Sequence, residues 1–256
     1  MAIIALKAWY IDKYEPVTEL EKRPQDLRLS KNSLLKSALR ADFLEDSQEI
    51  KNSTWFKRYL AGQAIEFYIE GSGGYVISNI DLISHEIYFT KQDVLAQLEP
   101  TIFLSCQNGD SESSESLQTI LEEAVAQLNQ KSRLPLKLET SLQSKNAPLR
   151  LSNSIARKIR KSLLFVADTT PITEISRSET TQFIPSPTVC IELGCALQTK
   201  RVEQILLVQI QPETNLGTQA FDLPTHQQLS CSTVDELLMT LPSVLEALLQ
   251  RYNLFS

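Results

Sequence analysis

Histidine is nearly absent from this 256-residue sequence: only His85 and His226 occur. The four cysteines, Cys106, Cys190, Cys195 and Cys231, include no C-x-x-C pair. Together these scarcities argue against a His/Cys zinc site, so no metal is expected. The cysteines sit in apolar or strand-like settings and read as buried, reduced thiols. No uncharged apolar run approaches the ~18 residues of a membrane span. The start, Met1-Ala-Ile-Ile-Ala-Leu6, has no basic segment before it and meets Lys7 at once, so no secretory signal is expected. A cytoplasmic protein follows as the expectation. Cations are also in deficit, 25 Lys and Arg against 31 Asp and Glu, a formal charge of -6. Direct nucleic-acid binding is therefore not expected. Glycine is scarce too, and three of the seven fall in Gly71-Ser-Gly-Gly74. That run lacks the Lys-Ser/Thr ending of a phosphate loop and leads into a strand, which makes it a tight turn.

What is present suggests two domains, residues 1–98 and 99–256. Apolar content of 42% and charged content of 22% suit a globular chain with a sizeable core. In the first part, Ala2 to Ile11 reads as a strand, Pro24 to Lys36 as a short helix or loop, and Trp55 to Leu60 as a half-buried helical turn. Ile65 to Glu70, the glycine turn and Tyr75 to Ile80 form a hairpin pattern, and His85 to Thr90 a further strand. The expectation is a small, mostly-β domain.

From Pro100 onward strands and helices alternate. Thr101 to Cys106, Leu134 to Glu139, Leu163 to Asp168, Gln204 to Gln209 and a short Gln228 to Cys231 read as strands. Between them lie a helix carrying Leu117, Ile120, Leu121, Ala124, Val125 and Leu128 at helical spacing, a second starting at Ser152, the run Ser186 to Ala196, and a closing helix from Val234 to Tyr252. Polar loops are expected at Gln107–Ser114, Thr140–Leu149 and Thr169–Pro187. The alternation implies a mainly parallel sheet covered on both faces. Ligands of such sheets sit beyond the C-terminal strand edge, where Ser105, Cys106 and Asp168 gather.

The run Ser186-Pro-Thr-Val-Cys-Ile-Glu-Leu-Gly-Cys-Ala196 holds a single acid, Glu192, in an otherwise apolar helix. A carboxylate is costly to bury without a partner. In a cleft it becomes a candidate for chemistry. Arg150, Arg157, Lys158, Arg160 and Lys161 form a basic cluster. It fits a solvated face, or attraction of a phosphate-bearing ligand, a nucleic-acid-bound partner or a neighbouring subunit's acidic face. It is too short and too poor in aromatics for an RNA surface.

Leu163 to Asp168, Thr169-Thr-Pro-Ile172, Pro187 to Ala196 and Glu203 to Val208 resemble, in order and spacing, the prokaryotic TIR-like, predicted nucleotide-binding domains. Ile102 to Cys106 resembles the first TIR strand, and Phe221-Asp-Leu-Pro224 is similar to a loop of these proteins. The Glu-Leu-Gly-x-Ala core also resembles nucleoside deoxyribosyltransferases. The sequence departs from the pattern at Thr188, where Asn is common, and at Cys106, where Tyr is common. The resemblance covers about residues 100–256 and implies a flavodoxin-like TIR-type α/β fold.

It further implies an NAD+ hydrolase that cleaves the N-glycosidic bond to nicotinamide and ADP-ribose or a cyclised product, in bacterial antiphage defence. Glu192 would be catalytic, and Ser105, Cys106, Asp168 and Thr169 would bind substrate. NAD would be the substrate rather than a cofactor. A homo-oligomer, or assembly with a sensor, is implied as well. Two other readings stand beside it: a non-catalytic nucleotide-signal-binding module, and a nucleoside deoxyribosyltransferase in which Asp168 supplies a proton.

Overall fold

The computed structural model describes residues 5–34, 38–106, 112–141, 150–177, 180–210, 218–219, 224 and 227–255. The expectations for residues 107–111, 142–149 and Phe221–Leu223, and His226, lie outside these. The chain divides into two compact units, Met1–Leu98 and Glu99–Ser256.

The first unit is a closed barrel of six antiparallel strands: β1 (Ala5–Tyr10), β2 (Leu27–Leu34), β3 (Ala38–Phe43), β4 (Glu66–Ile69), β5 (Gly73–Asp81) and β6 (Glu86–Lys91). Their order around the barrel is β1-β2-β3-β6-β5-β4. Closure comes from β1 pairing with β4, in register Ala8↔Ile69 and Tyr10↔Phe67. Alternate residues point inward, as a pleated strand dictates. Leu27 and Leu29, Leu39, Ala41 and Phe43, Phe67 and Ile69, and Ile87 and Phe89 fill the interior. Three short helices, α1 (Val17–Leu20), α2 (Ser47–Asn52) and α3 (Thr54–Leu60), lie between strands. Asp46 and Ser53 cap α2 and α3 through their side chains. Trp55 of α3 packs edge-on to Phe67, ring centres 5.3 Å apart. At Gly74 an added Cβ would lie 2.5 Å from the Gln92 carbonyl oxygen and 2.5 Å from a Val94 methyl, so the close approach requires glycine.

The second unit contains a five-stranded parallel sheet: β7 (Glu99–Ser105), β8 (Lys137–Thr140), β9 (Ser162–Asp168), β12 (Ile205–Ile210) and β14 (Gln228–Cys231). The order is β14-β12-β9-β7-β8. A separate three-stranded sheet joins β10 (Thr173–Arg177), β11 (Thr180–Ile184) and β13 (Thr218–Gln219). Among the described residues the unit's α-helices are α4 (Glu112–Asn129), α5 (Asn153–Lys161), α6 (Pro187–Thr199) and α7 (Val234–Leu249).

Phe103, Phe165, Ala167, Ile205 and Leu207 pack with Ile159 of α5 and Val189, Leu193 and Ala196 of α6. Their neighbours Ile102, Leu104, Leu164, Val166, Leu206 and Val208 are equally buried and face the other side. There α4 and α7 pack together through buried residues such as Leu117, Leu121, Leu237 and Leu241. The strands are apolar on both faces because both faces are covered. Among the described residues no helix is long and apolar enough to cross a membrane.

The expected fold class, a flavodoxin-like TIR-type sheet preceded by a small mostly-β domain, does not describe this chain. The N-terminal unit is a complete closed barrel, and the parallel sheet is accompanied by a separate three-stranded one. Three segments account for the difference. Residues 27–34 and 38–43, which the sequence suggests in part as helix or loop, are barrel strands on which Arg28, Ser30, Arg40 and Asp42 alternate with buried apolar residues. Thr173–Arg177 and Thr180–Ile184, within an expected polar loop, are antiparallel strands paired from Thr173↔Ile184 to Arg177↔Thr180.

Candidate functional site

The chain leaves β7 for β8 on one side and returns to β9 on the other, so the C-terminal ends of β7 and β9 form the switch point at which parallel sheets bind ligands. Ser105 ends β7 and Asp168 ends β9. α6 brings Glu192 to the same place. Ser186 caps that helix by accepting from the Val189 amide, and Pro187 opens it. Leu193 and Ala196 anchor it on the sheet, and Glu192, one residue before Leu193, is carried inward with only 1% of its surface exposed.

The Ser105 hydroxyl donates to Glu192 Oε2 at 2.6 Å. Glu192 Oε1 is buried and makes no hydrogen bond of regular geometry among the described residues. Ser141, just past the end of β8 and 1% exposed, has an equally unpartnered Oγ. Its backbone amide is held by the Leu104 carbonyl at 3.3 Å. Burial pushes the Glu192 carboxyl pKa up, and the hydroxyls of Ser105 and Ser141 draw it part of the way back. The Ser141 hydroxyl therefore lies within electrostatic reach of the carboxylate without making a regular hydrogen bond to it.

Asp168 is the second buried acid, 1% exposed. The Ser114 hydroxyl, in the first turn of α4, donates to Oδ2 at 2.6 Å, and the Thr170 amide donates to Oδ1 at 3.0 Å. The second contact is an Asx turn that shapes the chain leaving β9. Burial raises the Asp168 pKa, and the Ser114 and Thr170 bonds oppose it. Cys106 lies within the field of both acids. Burial, then the charges of Asp168 and Glu192, push its thiol up to about 11. At neutral pH Cys106 is a protonated thiol and a poor nucleophile.

The structure thus joins Ser105 directly to Glu192 and sets Cys106 between the influence of the two acids. Thr169 is turned elsewhere: its amide and hydroxyl both donate to the Val208 carbonyl, at 2.7 and 3.1 Å, tying β9 to β12. Cys190 donates weakly to the Pro185 carbonyl at 3.8 Å. Ser114 and Ser141 were missed by sequence reasoning. The signal that points to them is position, since Ser141 directly follows β8 and Ser114 opens the helix that follows β7, both at the edge where ligands bind. Among the described residues no cluster of three or more His, Cys, Asp or Glu side chains could hold a metal ion.

The site is a buried pair of carboxylates, each held by a serine hydroxyl, at the switch point of a parallel sheet. No family model and no curated protein matches the chain. Among solved structures, the metal-soaked Flv1 flavodiiron core from Synechocystis sp. PCC6803 is similar over 62% of this chain and 37% of that one, at 12% identity and a TM-score of 0.37.

Proposed function

We propose that the α/β unit hydrolyses NAD+ at the nicotinamide–ribose bond, with Glu192 as the residue that stabilises the departing sugar cation. The observation that carries this reading is the unpartnered Oε1 of Glu192, buried beside Ser141 and opposite the oxygen that Ser105 holds. A carboxylate with one oxygen fixed and one unspent can accept from a ribose hydroxyl and place negative charge near the anomeric carbon. Glycosidic cleavage passes through an oxocarbenium-like transition state that such a charge stabilises. As the C1′–N bond breaks, its electron pair neutralises the pyridinium nitrogen, so nicotinamide leaves without a proton. Water then attacks C1′ and loses its proton, giving ADP-ribose. Attack by a nitrogen of the adenine would give a cyclised product instead.

Ser105 fixes the carboxylate's orientation. Asp168 and Cys106 shape the wall next to it. The sequence resemblance of about residues 100–256 supports a role in bacterial antiphage defence, with the barrel unit as a sensing or assembly module, and the reduced thiols suit the cytoplasm. The test is incubation of the full chain with NAD+, wild type against Glu192→Ala, with nicotinamide and ADP-ribose read by mass spectrometry. Product from the wild type and none from the variant supports the reading. A silent wild type, or an active Glu192→Ala, removes it.

One observation favours a second reading. Asp168 is held toward its protonated form by burial. A neutral base leaves a sugar only if it gains a proton, and Asp168 would donate one in nucleoside deoxyribosyl transfer, with Glu192 attacking C1′. Base exchange between deoxynucleosides, with a trapped glycosyl adduct on Glu192, selects this reaction over NAD+ hydrolysis.

A further inference from the structure

The two outer layers of the α/β unit carry opposite charge. α4 contains four glutamates and α7 three acids, Asp235, Glu236 and Glu246, and neither helix contains a lysine or arginine. α5 contains Arg157, Lys158, Arg160 and Lys161 and no acid, and the only charge in α6 is the buried Glu192. The two layers lie on opposite sides of the sheet.

Part of this charge is already used. Lys158 pairs with Glu139, Lys161 with Glu99, and Lys131 at the end of the acidic layer with Glu246. Glu236 accepts from the Ser232 amide. Glu115, Glu123 and Asp235 on one side, and Arg157 and Arg160 on the other, are exposed and make no ion pair within the described residues.

Both layers also expose apolar surface. On the acidic side Val234, Leu238 and Met239 are 39%, 46% and 81% exposed. Leu238 lines two adjoining open grooves between α4 and α7, of about 680 and 530 Å³, and Glu115 and Glu123 edge the second. On the basic side Ile191 and Leu197 of α6 are 41% and 43% exposed. Gly194 lies between them, and a Cβ added there would meet nothing within 4 Å. That face of α6 is therefore apolar and flat enough for a close approach.

We propose that the α4/α7 face of one copy of this chain docks on the α5/α6 face of a second copy. Unlike charges at the rim then meet across an apolar centre, the arrangement of a specific protein interface. The two faces are different surfaces of one molecule, so a bound pair still leaves one face of each kind open. The contact is heterologous and propagates into a ring or a filament rather than stopping at a two-fold dimer. This inference is independent of the reaction assigned to Glu192.

The test is sedimentation velocity of the full chain over a wide concentration range, at low and high salt. Two surface variants accompany it, Arg157→Glu/Arg160→Glu and Glu115→Lys/Glu123→Lys. The wild type is expected to associate beyond a dimer as concentration rises, and less so at high salt. Each variant alone should weaken association at least about tenfold, since attraction becomes repulsion at two positions. An equimolar mixture of the two should associate again, because the unaltered acidic face of one meets the unaltered basic face of the other. Circular dichroism confirms that both variants fold. A chain that stays monomeric overturns the proposal. So does a dimer insensitive to Arg157→Glu/Arg160→Glu, which would mean that two α4/α7 faces pair with each other.

Discussion

Replacing Glu192 by glutamine should make the protein more stable at neutral pH. The carboxylate is 1% exposed, receives one hydrogen bond from Ser105, and leaves Oε1 without any. A buried polar group lacking its partner costs about 1–3 kcal/mol, and more when it is charged. The amide has nearly the same shape. Its carbonyl can still accept the Ser105 hydroxyl, and its NH2 can donate to the idle Ser141 oxygen. The expected gain is about 1–3 kcal/mol, at roughly 2–4 °C in melting temperature per kcal/mol for a unit of this size. The pH dependence fixes the cause. Burial raises the folded pKa of Glu192 above its unfolded value of about 4.3. Between the two values the native state binds more protons than the unfolded state, so wild-type stability falls as pH rises through that window. Below it, acid and amide should be nearly equal. The difference should open as pH climbs and then level off. Thermal and urea melts from pH 4 to 8 measure this. A Glu192→Gln protein less stable than wild type at neutral pH, or a difference that does not change with pH, refutes the reasoning. A gain would mean that the acid is kept despite its cost, as functional residues often are.

Lys200 is 9% exposed, its Nζ donates to the Ser162 carbonyl at 2.5 Å, and burial lowers its pKa from 10.5 to about 8. The unfolded chain binds the proton first as pH falls, so stability should rise between pH 8 and 10.5 by up to about 3 kcal/mol, and urea melts of Lys200→Met should lack that rise. Cys106, pushed up to about 11, should react with iodoacetamide at pH 8 far more slowly in the native than in the unfolded chain. Asp168→Asn should speed that native reaction by removing a nearby negative charge, and an unchanged rate counts against the cluster as described. Gly74→Ala should destabilise the barrel by about 1–3 kcal/mol through overpacking against Gln92 and Val94. Gly194→Ala, in open helical surface, should add up to about 1 kcal/mol, and similar melting shifts for the two variants would contradict this account.

The sequence made some elements plain and hid others for physical reasons. The hairpin of β4 and β5 was legible because Gly71 and Gly73 take positive φ, which few other residues tolerate. β9 was legible because all seven of its residues are buried, so no polar position interrupts Leu163 to Ala167. β2 was not, although Leu27 and Leu29 alternate with Arg28 and Ser30, because the preceding Pro24 and the nearby charges suit a helix start as well. Barrel closure is invisible along the chain, since it depends on β1 meeting β4 across a long stretch of sequence. The hairpin of β10 and β11 is rich in Thr, Ser and Glu and reads as loop by composition. In the site, Glu192 announced itself as an acid among apolar neighbours, and Asp168 as an acid ending an apolar strand. Ser114 and Ser141 carry no such contrast, because serine is as common in loops as in sites and only the folded chain shows which hydroxyl meets a carboxylate.

The closure of the barrel by β1 has a practical consequence for truncation. β1 is the staple that joins β2 on one side to β4 on the other. A shortened protein that begins after Tyr10 would lose more than one strand. Its ring without ends would become an open sheet with two bare rims, one on β2 and one on β4, each offering unpaired amides and carbonyls to the nearest neighbour. Such a fragment should precipitate through those rims, while one that starts at the boundary after Leu98 bares no rim of this kind, because among the described residues no strand pairing crosses that point.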